Sequence, residues 1–190
     1  MQMLKDRIMR EGRVLPGSII KVDGFLNHRV DIKLIQEIAK EFGRVFDLTG
    51  LTAVLTVEAS GIAIAAICAE AFGVPMVFAK KAKSDNIEGG LYKSDIYSYT
   101  YKQKFTLIMS RDWLTPDDKV LIVDDFLANG EAIRGLTEIV LQSGAQLIGI
   151  GIAIEKGFQP GGKRLREQGI NLHSLVIVEK ATPDELIFRD

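Results

Sequence analysis

Apolar and polar residues follow two rhythms along the chain, and the switches between them predict its elements. Over 32–46 the apolar residues fall at 34, 35, 38, 42, 45 and 46, the 3.6-residue period of an amphipathic helix, with Asp31 placed to cap it. Over 3–11 apolar residues at 4, 8 and 9 predict a shorter helix, which Pro16-Gly17 punctuates. Continuous apolar runs at 53–57, 76–79, 120–123 and 147–154 predict strands buried on both faces, and 19–22 and 172–178 are further strand candidates. Helices over 62–72, stopped by Gly73, and over 132–142, closed by Ser143-Gly144, separate these runs. Strand and helix in this alternation predict an α/β fold with a mainly parallel sheet and right-handed crossovers. The stretch 80–118 breaks the rhythm. After Gly89-Gly90 two β-like runs, 96–101 and 105–109, predict an antiparallel arm or flexible loop within a single domain.

Composition narrows the class. With 190 residues, 24 Lys+Arg against 25 Asp+Glu and a net charge of −1, the chain has no cationic excess to neutralise nucleic-acid phosphates. The lone Cys68 lies in the apolar run 62–69, which predicts a buried, inert thiol and a reducing compartment. The N-terminal segment lacks a signal-peptide core, and charges or Gly and Pro interrupt every apolar stretch before it could span a bilayer. These features predict a soluble, cytoplasmic protein with no membrane partner.

The sharpest chemical feature is the run from Val120 to Ala132, VLIVDDFLANGEA. A buried strand ends in Asp124 and Asp125, crosses a short loop with Gly130 and opens a helix. Ligands of open α/β sheets bind at such carboxyl ends, and the first free N–H groups of the helix suit an anion. Adjacent strand residues face opposite ways, so the two acids fit a glycosidase pair poorly. They suit ribose hydroxyls or a hydrated Mg²⁺, or else form an ordinary strand-end pair beside a helix cap. Glu58-Ala59-Ser60-Gly61 reads as a strand-to-helix turn with Ser60 as cap, lysines 80, 81 and 83 as a solvated face, and Lys156 as a strand-end lysine paired with Glu155 or as a site residue. His28 and His173 lie in unrelated segments with neither zinc spacing nor a nucleophile motif around them.

The 120–132 run resembles the phosphoribosyl pyrophosphate signature of type I phosphoribosyltransferases, and Asp124-Asp125-Phe126-Leu127-Ala128-Asn129-Gly130 is closest to the bacterial subgroup acting on xanthine. Phe25-Leu26-Asn27-His28, Glu58-Ala59-Ser60-Gly61-Ile62-Ala63, Val77-Phe78-Ala79-Lys80-Lys81 and the segment from Ile154 to Gly161 extend the resemblance in order over residues 1 to 180. It implies one domain over 1–190, with a small hood from residues 1–30 and the C-terminal segment, and a flexible antiparallel arm at about 82–112.

The implied activity is transfer of 5-phosphoribosyl from phosphoribosyl pyrophosphate to N9 of xanthine, giving xanthosine monophosphate and pyrophosphate in purine salvage. Under the resemblance Ala128, Asn129, Gly130, Glu131 and Ala132 cradle the 5′-phosphate, although the hydroxyl residues usual in that loop are replaced and backbone N–H donors must serve. Asp124 and Asp125 lie under the ribose as the catalytic acids. Glu58, Ala59, Ser60 and Gly61 hold pyrophosphate by backbone amides around a strained peptide bond. Lys81 reaches the pyrophosphate across a homodimer interface. Ile20, Asn27 and Lys156 meet the base; Phe158, read from the residues alone, either stacks on the purine or simply packs. Asn27 can both donate to and accept from an oxopurine, and the charge of Lys156 favours xanthine over adenine. Mg²⁺ is implied on the donor's oxygens, with Asp124 or Asp125 as water-mediated supports. Two alternatives stay open: a transferase for hypoxanthine or guanine, and a donor-sensing DNA-binding regulator. The second usually carries an added winged-helix domain, whereas here about thirty residues precede the long first helix.

Overall fold

The computed structural model describes residues 1–82, 90–98 and 103–189. Helix α1 (Gln2–Glu11) is followed by a two-stranded hairpin, β1 (Arg13–Leu15) and β2 (Ile19–Lys21), and then by a π-helical turn over Asp23–Asn27. Helix α2 (Ile32–Val45) starts where predicted: the Asp31 carboxylate accepts from the Leu34 N–H at 3.2 Å. Its buried residues, Leu34, Ile35, Ile38, Ala39 and Phe42, follow the period with Ala39 added, and Phe46 just beyond is buried, whereas Val45 is exposed.

The rest of the chain alternates around one sheet. Strand β3 (Ala53–Val57) leads to α3 (Gly61–Phe72) and β4 (Met76–Ala82), then to β5 (Leu91–Ser98) and β6 (Gln103–Ser110). Strand β7 (Lys119–Leu127), α4 (Glu131–Ser143), β8 (Gln146–Lys156), α5 (Pro160–Glu167), β9 (Leu172–Thr182) and β10 (Glu185–Phe188) complete it. The strand order is β10-β9-β8-β7-β3-β4-β6-β5. The five from β9 to β4 are mutually parallel, and β10, β6 and β5 add antiparallel edges.

Side chains of the central strands divide between two cores, as period 2 requires. Val54, Leu121 and Val123 pack with α2 and α3, while Leu55, Val120 and Ile122 pack with α4. Gly149 and Gly151 on β8 make room for the rings of Phe46 and Phe42, whose atoms lie 2.5 and 2.9 Å from where a Cβ would stand. Cys68 is fully buried, and burial pushes its thiol up to about 12, as the apolar run predicted.

Three expectations change. The choice between an antiparallel arm and a loop becomes, over the described residues, an antiparallel β5–β6 pair that extends the sheet through β4–β6. Strand β5 is also laced to α4: Gln142 bonds both backbone groups of Lys93, Arg134 donates to the Asp95 carbonyl, and Glu131 accepts from the Tyr97 N–H. Second, strand 105–109 lengthens to Gln103–Ser110, and its partner is Leu91–Ser98 rather than 96–101. Residues 83–89 and 99–102, including Lys83 and part of the predicted arm, lie outside the described residues. Third, Ser60 does not cap α3, because its hydroxyl is engaged elsewhere.

Candidate active site

The β3–β7 ladder ends at the Leu55–Ile122 pair, so β7 runs on beyond its neighbour and carries its two acids to the N-terminus of α3. Strand alternation predicts that they diverge. Instead both turn toward that helix start. Asp124 folds back to accept from the Asp125 N–H at 3.0 Å, and Asp125 does the same with the Phe126 N–H at 2.9 Å. Asp125 also accepts from Ser60 Oγ at 3.0 Å and from Asn27 Nδ2 at 2.8 Å, which ties the hood and α3 to one carboxylate. Asp124 Oδ1 lies 2.5 Å from where a Cβ on Gly61 would stand, and Thr56 Oγ1 lies 2.2 Å from it; only glycine fits there. Burial, with the charge of Asp125 beside it, holds the Asp124 carboxyl well above the usual carboxylate range. The Lys81 charge opposes this rise.

Glu58, Ala59 and Ser60 form the turn before α3, and the Glu58–Ala59 peptide is cis, where an unusual bond was expected. The Glu58 carboxylate accepts from the Lys81 N–H at 2.6 Å, so the two segments expected to hold pyrophosphate are joined. Lys81 is exposed on β4, while Lys80 turns to the Phe78 ring, 6.0 Å away.

Asn27 and Lys156 both lie beside the end of β7, Asn27 through Asp125 and Lys156 through Phe126. Lys156 is half-buried, and its ammonium donates to the Ser18 carbonyl at 3.2 Å and lies 6.0 Å from the Phe126 ring. Burial lowers its pKa. Pairing with Glu155 does not occur, because successive residues of β8 face opposite sides. Glu155, 2% exposed, takes a bidentate pair from Arg166 at 2.8 and 2.7 Å and a further bond from Ser174. Ile20 is 7% exposed and packs in the hood core, and Phe158 sits in the turn after β8, 39% exposed. Phe126, the aromatic beside the ammonium, was missed as a site residue, although it stands inside the acid motif. His28 is exposed and His173 packs edge-on against Phe46.

The loop from Ala128 to Ala132 turns through Gly130, whose φ of 87° is open to glycine at little cost. No side chain caps α4, so its first N–H groups stay free for an anion. An acid in such a loop needs explaining. The Glu131 carboxylate points away, ion-paired with Arg134 at 3.2 Å and accepting from Tyr97 N–H.

Among the described residues no three His, Cys, Asp or Glu gather into a metal cage. Asp124 and Asp125 nonetheless suit a hydrated Mg²⁺ whose other ligands are a substrate's oxygens, the way this hard cation is usually held.

An acid pair at the end of a parallel strand beside an uncapped glycine loop is suited to holding a sugar phosphate, the substrate type a phosphoribosyltransferase handles. The phosphoribosyl transferase domain model matches residues 26–167. The xanthine phosphoribosyltransferase of Lachnoclostridium phytofermentans is 54% identical over 191 residues, covering 100% of this chain and 98% of that one. That of Ruminiclostridium cellulolyticum is 49% identical over 190 residues and all of both chains. The chain belongs to the xanthine phosphoribosyltransferase family. Among solved structures, APRTase from Giardia lamblia complexed with 9-deazaadenine aligns with TM-score 0.77 over 92% of this chain and 97% of that one, at 21% identity. Adenine phosphoribosyltransferase from Rhodothermus marinus gives 0.74 over 93% and 99%, at 20% identity. These two share the fold.

Proposed function

We propose that the protein joins N9 of xanthine to the anomeric carbon of phosphoribosyl pyrophosphate, giving xanthosine monophosphate and pyrophosphate in purine salvage. One observation carries the choice of base: Lys156 is held half-buried with a carbonyl and a ring face for company, while the neighbouring acid is committed to Arg166. Such an ammonium attracts the oxo group of an acidic purine and repels the amino group of adenine. The base is itself the nucleophile. The N9–carbon bond forms as the carbon–oxygen bond to pyrophosphate breaks, the electron pair leaves on pyrophosphate, and the base gives up its ring proton. Backbone N–H groups of residues 128–132 orient the 5′-phosphate, and those after Glu58 face the leaving pyrophosphate. Asp124 and Asp125 accept from the ribose hydroxyls and offset cationic charge developing on the sugar. Mg²⁺, when bound, neutralises charge on the departing pyrophosphate.

Comparing kcat/KM for xanthine, guanine, hypoxanthine and adenine tests this, with xanthine expected to lead. Lys156→Ala is expected to narrow that lead by about tenfold, the equivalent of roughly 1.4 kcal/mol, while leaving the donor KM near its normal value. Equal losses for all four bases would remove Lys156 as the selector.

The working unit of this reading is a homodimer in which Lys81 serves the neighbouring subunit. Strand β4, which carries Lys81, borders an apolar groove of about 500 Å³ lined by Met76, Phe78, Ile108, Met109 and Trp113, the last 67% exposed. A second copy seated there would lie against the strand that carries Lys81. Mixed dimers of Lys81→Ala and Asp124→Asn/Asp125→Asn subunits should regain one working site in two. No regain would place Lys81 in its own subunit's site, where its charge already acts on Asp124. Among the described residues no helix is long and apolar enough to cross a membrane, and the reading places the reaction in the cytoplasm.

A further inference from the structure

Helix α5 lies behind the loop 128–132 and touches it with bare backbone. The Gly161 N–H donates to the Ala128 carbonyl at 3.1 Å. A Cβ on Gly161 would stand 2.4 Å from that oxygen, 2.8 Å from the Gly130 nitrogen and 2.9 Å from the Asn129 carbonyl carbon. These are main-chain atoms, which cannot swing aside as a side chain would. In the other direction, a Cβ on Gly130 would meet Gly161 Cα at 3.2 Å. The loop and the helix start therefore fit each other only as glycine against glycine.

What fixes α5 in that position is the buried acid of β8. Arg166, five residues beyond Gly161, grips Glu155 with both guanidinium nitrogens, and Ser174 of β9 completes the carboxylate's partners. Gly162 is pressed so closely on this carboxylate that a Cβ there would overlap Glu155 Oε1 at 2.0 Å. A planar bidentate pair fixes distance and orientation together, which a single ion contact does not. The clamp thus runs from the end of β8 through α5 to the backbone of the loop. The same strand end presents Lys156 on its opposite face.

We infer that Gly161 and Arg166 are positioning residues for the donor's 5′-phosphate: the Glu155–Arg166 clamp seats α5, and Gly161 then shapes the amide loop 128–132. This rests on the proposed donor site, and it adds a part of the molecule that touches no substrate.

Direct calorimetric binding of phosphoribosyl pyrophosphate with Mg²⁺, together with steady-state kinetics, tests it. Gly161→Ala should weaken donor binding at least tenfold and raise the donor KM to match, with the xanthine KM changed less than twofold. Arg166→Met should do the same more mildly, and Arg166→Lys should recover part of the loss. Gly169→Ala is the control for lost stability, because Gly169 ends α5 at φ 74° away from the loop. It should lower Tm while leaving donor binding intact. Folded Gly161→Ala protein with unchanged donor affinity would overturn the inference, as would equal weakening by Gly169→Ala. Wild-type protein that binds the donor but transfers to no purine would defeat the proposed reaction alone, since the loop's role is still read from binding.

Discussion

Asp125→Ala is expected to lower kcat/KM by about a hundredfold and Tm by roughly 6–12 °C. The carboxylate is 5% exposed and accepts from Asn27 of the hood, Ser60 before α3 and the N–H of Phe126. Alanine leaves all three donors without their acceptor. Hydrogen bonds to charged groups each contribute about 1.5–3 kcal/mol, and bonds sharing one acceptor do not simply add. A net cost of about 3 kcal/mol then translates at roughly 2–4 °C per kcal/mol for a chain of this size. The larger effect on rate arises because one side chain holds three parts of the site in register, and displacement by about 1 Å can cost on the order of a hundredfold. Thermal unfolding and steady-state kinetics on the same preparation check both numbers. An alanine variant with normal Tm and normal turnover would show that the three contacts are idle.

Asp124→Asn should act in the opposite direction on stability while still impairing catalysis. Burial and the adjacent charge of Asp125 raise the Asp124 pKa in the folded protein. Between its ordinary value, near 3.8, and that raised value the native state binds more protons than the unfolded chain, so stability falls as pH rises. The favourable contribution is complete below the ordinary value and is lost as pH climbs through the raised one. Asparagine keeps an oxygen for the Asp125 N–H and never ionises. Its gain in stability, about 1 kcal/mol or roughly 2–4 °C, should therefore appear at neutral pH and vanish in acid. Turnover should fall by at least tenfold where the wild-type carboxyl is ionised, because a neutral amide offsets little positive charge on the sugar, and the difference should shrink as pH falls below the raised value. Melting curves from pH 4 to pH 8 separate this from an ordinary packing effect. A Tm difference independent of pH would contradict it.

Both variants act at a junction that is only half legible in the sequence. The strand end, the acid pair and the glycine loop are local features, and a single stretch of thirteen residues, Val120 to Ala132, displays them. The contact between Asn27 and Asp125 joins residues 98 positions apart, and no periodicity marks it. Lys156 illustrates the difference. Its place at the end of β8 follows from the apolar run before it, but its freedom from Glu155 depends on Arg166 and Ser174 arriving from α5 and β9. The same division holds for the fold. Helix α2 is plain because it buries an unmixed apolar stripe, and strand β3 because Thr56 alone interrupts its apolar run. In β5 the inward positions are Tyr92, Ser94 and Ile96, and the buried Ser94, bonded to Glu138, breaks the hydrophobic alternation that would have revealed the strand. Strands β1 and β10 are short and bury none of their residues, so they take their shape from the partners they pair with.

Cys68 gives the molecule a means of timing its own opening. It is the only cysteine in the chain, it is fully buried on the inner side of α3, and its thiol is pushed up to about 12. A thiol reagent that attacks thiolate finds almost none in the closed protein, so alkylation at fixed pH counts molecules whose core has come apart. Because none of the proposed chemistry uses a thiol, that count can be taken with substrates present. The slowing of alkylation as donor or base is added would measure, through one native atom, how strongly each ligand holds the fold shut.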